Sequence, residues 1–232
     1  MSSSNIESLY NHIWFRKSAD SNHSSVLSLR EQLALHWLRP GESFLDIGCG
    51  TGNLCKEVMP IFTHVHGCDI SDSALSLAKT LGISVKKVDV NQPPLPYDSH
   101  TFDAITALDV IEHLFDPQSF LHELHRLLKP GGQLILSTPN FRKLKNIHTL
   151  LIKGVFPKTS NDPEGWDGGH LSYFTRKDLL LLLRQSGFTP LRSQGIHSLD
   201  RHRLIKRLFV TLLGQHLSKE FLASGILIES TA

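Results

Sequence analysis

The sequence predicts an α/β fold: an open, mostly parallel sheet with helices on both faces. Three observations carry that prediction. Short apolar runs alternate with helix-length stretches between residues 43 and 139, the first run ends in a glycine-rich turn, and aspartates stand at the ends of the runs. In such a sheet, ligands bind at the carboxyl ends of the strands near the reversal of strand order. Functional residues are therefore expected where strands end.

The elements follow in order. Residues 1–25 are polar and serine-rich, with an aromatic cluster of Tyr10, Trp14 and Phe15. From Val26 the spacing of Val26, Leu29, Leu33 and Trp37 is helical until Pro40-Gly41 stops it, so residues 1–40 read as a helical N-terminal cover. SFLDIG (43–48) is a short apolar run ending in glycine. HVHGCDI (64–70) is the next, followed by a helix that Ser71 or Asp72 can cap. ISVKKVDV (83–90) alternates in part, FDAITALDV (102–110) is mostly apolar, and QLILSTP (133–139) follows the turn Lys129-Pro130-Gly131-Gly132. The stretches 52–60, 72–82 and 117–128 have helix length and separate these runs.

Composition narrows the function classes. The 232 residues carry 24 Lys and Arg against 22 Asp and Glu, a net charge of +2, so no strong field draws nucleic acid to the chain. With 40% hydrophobic and 20% charged residues the chain suits one globular domain spanning 1–232. Cys49, Cys55 and Cys68 form no CxxC pair, which disfavours a disulfide scaffold or a cysteine-rich zinc site. The fourteen histidines are scattered, and no metal is expected. The N-terminus lacks a signal-peptide layout and no apolar run reaches about 18 residues, so a cytoplasmic protein is expected.

Four strand ends supply candidate contacts. The first ends in Asp46-Ile47-Gly48-Cys49-Gly50-Thr51-Gly52, where alternate glycines let the backbone turn tightly and approach a ligand. The second ends at Asp69, roughly 20 residues after Gly48, the position from which an acid accepts ribose hydroxyls. The third ends at Asp89, where a carboxylate can accept from an exocyclic amine such as that of adenine. The fourth ends around Leu108-Asp109. A dinucleotide pyrophosphate wants backbone N–H groups and no competing carboxylate, whereas here Asp46 precedes a GxGxG turn. An acid on the loop suits a cationic ligand, and S-adenosylmethionine carries a sulfonium and an ammonium but no phosphate.

The stretch from Phe44 to Pro139 resembles the class I S-adenosylmethionine-dependent methyltransferases, particularly their small-molecule branch. FLDIGCGTG, GCDIS, FDAITALDVIEHL and LLKPGGQLILSTPN carry the resemblance, and GGHLSYFTRKDLLLLLRQSGF (168–188) is similar to a segment after the fifth strand in that branch. The resemblance implies a Rossmann-like, doubly wound, seven-stranded sheet whose last strand is antiparallel and lies next to the fifth. FTPLRSQG (188–195) and ASGILIES (223–230) are the candidates for strands six and seven. It implies that Asp46, Gly48 and Gly50 line the methionine end of the cofactor, and that Asp69 holds the ribose. Ile70 then flanks the adenine, Asp89 and Val90 meet its edge, and Leu108 lies near the sulfonium. It further implies a small-molecule acceptor, similar to those of quinone-pathway O-methyltransferases and surface-glycan methyltransferases. After the fourth strand the chain reads Ala107-Leu108-Asp109-Val110, unlike the Asn/Asp-Pro-Pro-aromatic motif of nucleic-acid amino-methylating enzymes.

Methyl transfer from a sulfonium is an in-line displacement, and a hydroxyl acceptor benefits from a base. The catalytic candidates are His113, just after the fourth strand, and His170, beside the presumed acceptor pocket; Tyr173 is weaker. Residues 140–170 form an acceptor-side insertion with Trp166, Gly168 and Gly169 suited to an aromatic-lined lid. Within it, residues 141–158 carry Arg142, Lys143, Lys145, Lys153 and Lys158, no acid, and helically spaced Phe141, Leu144, Ile147, Leu151 and Val155. A lid helix packed on its own domain is the first expectation. Peripheral contact with the inner face of an anionic membrane, through this segment or the basic stretch 200–219, is the second, and it goes with a lipid-linked acceptor. The alternatives for the whole chain are an NAD-dependent oxidoreductase and a non-catalytic S-adenosylmethionine-binding module.

Overall fold

The computed structural model describes residues 3–19, 26–160, 162–164, 166–197 and 220–232; the basic stretch 200–219 lies outside them. The first strand, β1 (Gly41–Ile47), shows how the sequence sorts itself. Leu45 and Ile47 pack into one apolar core and Phe44 into the other, because alternate strand residues face opposite sides of the sheet. The same alternation runs through β4 (Phe102–Leu108), β5 (Leu128–Pro139) and β7 (Gly225–Thr231), so these strands read as nearly continuous apolar runs buried on both faces. With β2 (Phe62–Asp69), β3 (Ser84–Lys87) and β6 (Thr189–Ile196) they make one seven-stranded sheet, ordered β3-β2-β1-β4-β5-β7-β6. The first five strands are parallel to one another, while β7 runs antiparallel to both β5 and β6.

Helices cover both faces. α2 (Leu29–Trp37), α3 (Asn53–Val58) and α4 (Asp72–Thr80) bury Trp37, Leu54, Val58 and Leu75 in one core. α5 (Pro117–Leu127) and α7 (Arg176–Gln185) bury Phe120, Leu121, Leu124, Leu179 and Leu183 in the other. Their starts are chemically marked. Ser28 and Glu31 close a capping box on α2, Thr175 and Asp178 close one on α7, and Ser71, not Asp72, caps α4.

Two expected boundaries shift for identifiable reasons. The third run ends at Lys87, with the Val88 N–H closing the ladder on the Asp69 carbonyl, which puts Asp89 beyond the strand end. The turn Lys129–Gly132 is absorbed into β5 as an irregular start, since Ala232 exchanges hydrogen bonds with Gly131 and Gly132. Residues 3–19, read from sequence only as part of a helical cover, form α1 (Ser3–Ala19). α1 is tied across the strand ends by Asn11, which accepts from Ser71 (2.8 Å), by Glu7 with Lys87 (2.7 Å), and by Arg16 with Asp162 and Glu164.

Candidate active site

The order places β1 beside β4, so the chain leaves these adjacent strands toward opposite halves of the sheet and opens a crevice at their carboxyl ends. A cleft of about 680 Å³ lies there, roofed by Tyr10 and Trp14 of α1. Asp46, Gly48, Gly50, Asp69, Ile70, Asp89, Val90, Leu108, His113 and His170 all line it, so the fold brings these ten candidates to one cavity.

The cofactor-side residues have distinct environments. Asp46 closes β1, accepts from the Thr106 hydroxyl at 2.6 Å, and is buried; burial pushes its carboxyl up to about 7. The Gly48 and Gly50 backbones have φ of +70° and +53°. A Cβ on Gly50 would stand 2.4 Å from the Trp14 ring, so both backbone angle and close approach require glycine there. Asp69 closes β2 and ties the loop: its carboxylate accepts from the Gly50 and Ser71 N–H groups, each at 2.9 Å. Burial raises the Asp69 carboxyl against these bonds. Asp89 accepts from the Asn91 N–H and the Gln92 amide, which orients it beside Val90. Asp46, Asp69 and Asp89 line this half of the cleft, and among the described residues Arg30 is the one arginine or lysine that lines any of it.

The far half is built from the 3-10 turn Ile111–His113 after β4 and the turn Asp167–Gly169 of the insertion. The two lock together through the Glu112 carbonyl, which accepts from the Leu171 and Ser172 N–H groups. His113 donates from Nδ1 to the Gly169 carbonyl at 3.2 Å, since a carbonyl can only accept. For His170 the tautomer follows from a chain of bonds. Thr159 has one hydroxyl proton, given to Asp167 at 2.8 Å, so at 2.7 Å it accepts from His170 Nδ1–H. The lone pair of the neutral ring is then on Nε2. Burial lowers the His170 pKa from its ordinary value, opposed by Asp167. Burial alone would raise Asp167, but hydrogen bonds from Thr159 and Ser160 hold it below its ordinary value.

Sequence reasoning missed several cleft residues. Glu112 is buried and pushed by burial up to about 7; one oxygen accepts from Thr138 at 3.1 Å, while Oε1 has no hydrogen-bond partner. Arg30 of α2 pairs with Asp109, which Ser137 also holds. Nothing in spacing marks Glu112 or Arg30, because each takes its place in the cleft only through tertiary packing. Glu112, His113 and His170 also meet as a group whose donor atoms lie within 4.8 Å of one another, although neighbouring acids in sequence gave no sign of it. The Glu112–His170 pair is 4.0 Å apart; an ion about 2.1 Å from each would need an angle near 145°, far from tetrahedral. Trp166 is 64% exposed beneath Lys158 and does not line the cleft, correcting the aromatic-lid expectation. Tyr173 also stays outside it, packed on Phe141 and Phe156.

Residues 20–193 match the family described as "Methyltransferase domain". The chain is 32% identical over 165 residues to a ubiquinone biosynthesis O-methyltransferase of Ruegeria pomeroyi, covering 67% of this chain and 63% of that protein. The protein of the same name from Coxiella burnetii is 29% identical over 167 residues, covering 68% of each. The chain thus spans about two thirds of the length of these relatives. Its fold is similar to that of the methyltransferase solved in complex with the Trm112 methyltransferase activator of Haloferax volcanii, with a TM-score of 0.66 and 17% identity over 94% of this chain and 93% of that one. The chain belongs to the class I S-adenosylmethionine-dependent methyltransferases.

Proposed function

We propose that the protein transfers a methyl group from S-adenosylmethionine to a hydroxyl of a small or lipid-linked acceptor. The observation that supports this most is the single cleft running from the Gly48–Gly50 loop and its acids to the imidazoles of His113 and His170. Asp46 would meet the cofactor ammonium, Asp69 the ribose, and Asp89 with Val90 the adenine edge. Arg30 supplies the cation nearest the methionine half, where a carboxylate needs one. A pyrophosphate would face the buried carboxyls of Asp46 and Asp69 in the same space, which weighs against NAD. On the acceptor side, His170 Nε2 is the base that takes the hydroxyl proton, with His113 packed edge-on to it at 4.7 Å. α1 and the insertion exclude water from the reacting groups. The ubiquinone-pathway names of the relatives agree with oxygen as the methylated atom.

The insertion supports the lipid-linked half of the proposal. α6 (Leu144–Lys153) buries Asn146 alone and leaves Leu150, Leu151 and Ile152 exposed, with Val155 and Phe156 exposed just beyond. Most of the apolar side of this helix is therefore open to solvent. An apolar edge flanked by Lys145, Lys153 and Lys158 suits an anionic membrane surface, and Thr159, Ser160 and Asp162, which follow it, line the cleft. No helix among the described residues is long and apolar enough to cross a membrane. Incubating the protein with a total lipid extract and S-adenosylmethionine bearing a deuterated methyl group tests the reaction. The expected product carries the label as a methyl ether; label on nitrogen, or none, contradicts it.

A further inference from the structure

The reading of His170 as base leaves its partner across the cleft unexplained. Glu112 is 1% exposed, yet Oε1 makes no hydrogen bond, and this orphaned oxygen stands 4.0 Å from His170 Nε2. A buried carboxyl with an unmet oxygen is costly, and native structures keep such a group where it has work to do. The opposite side of the ring is fully engaged: Nδ1–H donates to Thr159, which donates to Asp167, itself held by Thr159 N and Ser160 N. The imidazole is thus fixed in one tautomer and aimed with its basic nitrogen at a carboxyl group.

Resting on the methyltransferase reading above, we propose that Glu112 is the positioning residue for the base, a carboxylate that holds the imidazolium formed when His170 accepts the acceptor's proton. As the acceptor oxygen forms its bond to the methyl carbon, the carbon–sulfur bond breaks with its electron pair left on sulfur. The acceptor O–H proton passes to His170 Nε2. The resulting cation lies between Glu112 and the Thr159–Asp167 pair, in a site from which water is excluded and charge attraction is strong. His113 faces the same point from the β4 side, Tyr10 packs edge-on to His113 from α1, and Asp162 adds negative charge from the insertion. Arg30, the nearest cation, is already paired with Asp109. The acids around His170 therefore outnumber the cations and oppose the burial that lowers its pKa, so they hold the ring's charge once substrate delivers the proton.

Long-range 1H–15N spectra of the labelled, S-adenosylhomocysteine-loaded protein test this without an acceptor, with His170 assigned by loss of its signals in His170→Asn. Below its pKa His170 should be an imidazolium, and above it the Nδ1–H tautomer. In Glu112→Gln its pKa should fall by about one unit or more, the loss of one close charge in a buried site. The affinity for S-adenosylhomocysteine should stay within about twofold of the unmodified protein, which separates this role from a structural one. An unchanged His170 pKa overturns the proposal, as does the Nε2–H tautomer. Calorimetry with zinc alone showing tight binding that Glu112→Gln abolishes would make the group a metal site and overturn it equally. Should Glu112→Gln fail to fold, the 13C titration of the Glu112 carboxyl decides: it must break at the His170 pKa, and independent titrations contradict the pairing. Failure of S-adenosylhomocysteine to bind at all counts against the methyltransferase reading instead.

Discussion

Asp46 carries most of the chemistry that can be tested at a single residue. Its carboxyl, raised by burial to about 7, must be ionised to meet an ammonium group, so cofactor affinity should weaken as pH falls through 7. Allowing for titration of the cofactor amine, S-adenosylmethionine should bind about fivefold more weakly at pH 6 than at pH 7.5. Asp46→Asn should bind weakly at both, which calorimetry at the two pH values checks. Gly50 gives a second prediction. An alanine there meets a left-handed φ, worth about 1–2 kcal/mol, and drives its Cβ into Trp14. Gly50→Ala should therefore lower the thermal midpoint. Adding Trp14→Ala to Gly50→Ala should weaken cofactor binding further by opening the roof, even though it relieves the clash.

At the scale of elements, the fold was legible wherever local chemistry and burial agree. β1, β2, β4 and α5 fall close to their expected ranges because the carboxyl half of each strand is buried and Asp116 and Pro117 mark the helix start. β6 and the antiparallel β7 were legible only through family resemblance, since a short apolar run carries no sign of its direction. The alternation also misled in one place: Lys129–Gly132 reads as a turn, and only pairing with Ala232 makes it strand. For α6 the pattern showed an amphipathic helix but not what its apolar side would meet, and the fold leaves Leu151 and Ile152 more than 70% exposed. Flotation with vesicles containing anionic phospholipid should carry the protein upward at low salt. Leu151→Glu with Ile152→Glu should abolish that, and an unmodified protein that stays at the bottom would remove the membrane from the account.

For the whole molecule, the site was legible in its strand-end half and hidden in its other half. Asp46, Asp69 and Asp89 announce themselves by their distance from a glycine turn. Glu112, Arg30 and the Thr159–Asp167 pair are brought in by packing between segments far apart in sequence. These buried acids also govern stability. Asp46 and Glu112 are both raised to about 7, so between about pH 4 and 7 the folded chain binds more protons than the unfolded one. Their contribution makes the protein more stable as pH falls from 8 toward 5.5, whereas Glu123, lowered by its hydrogen bond to Arg126, loses its contribution only as pH falls below about 4. Thermal melts should accordingly rise from pH 8 to 5.5 without cofactor and rise less with it. The most direct test of the central claim is calorimetric titration of S-adenosylmethionine and S-adenosylhomocysteine into the unmodified protein and Asp69→Ala. Micromolar binding that the variant loses is the predicted result; NAD binding in their place, or an Asp69→Ala variant that binds them undiminished, would contradict it.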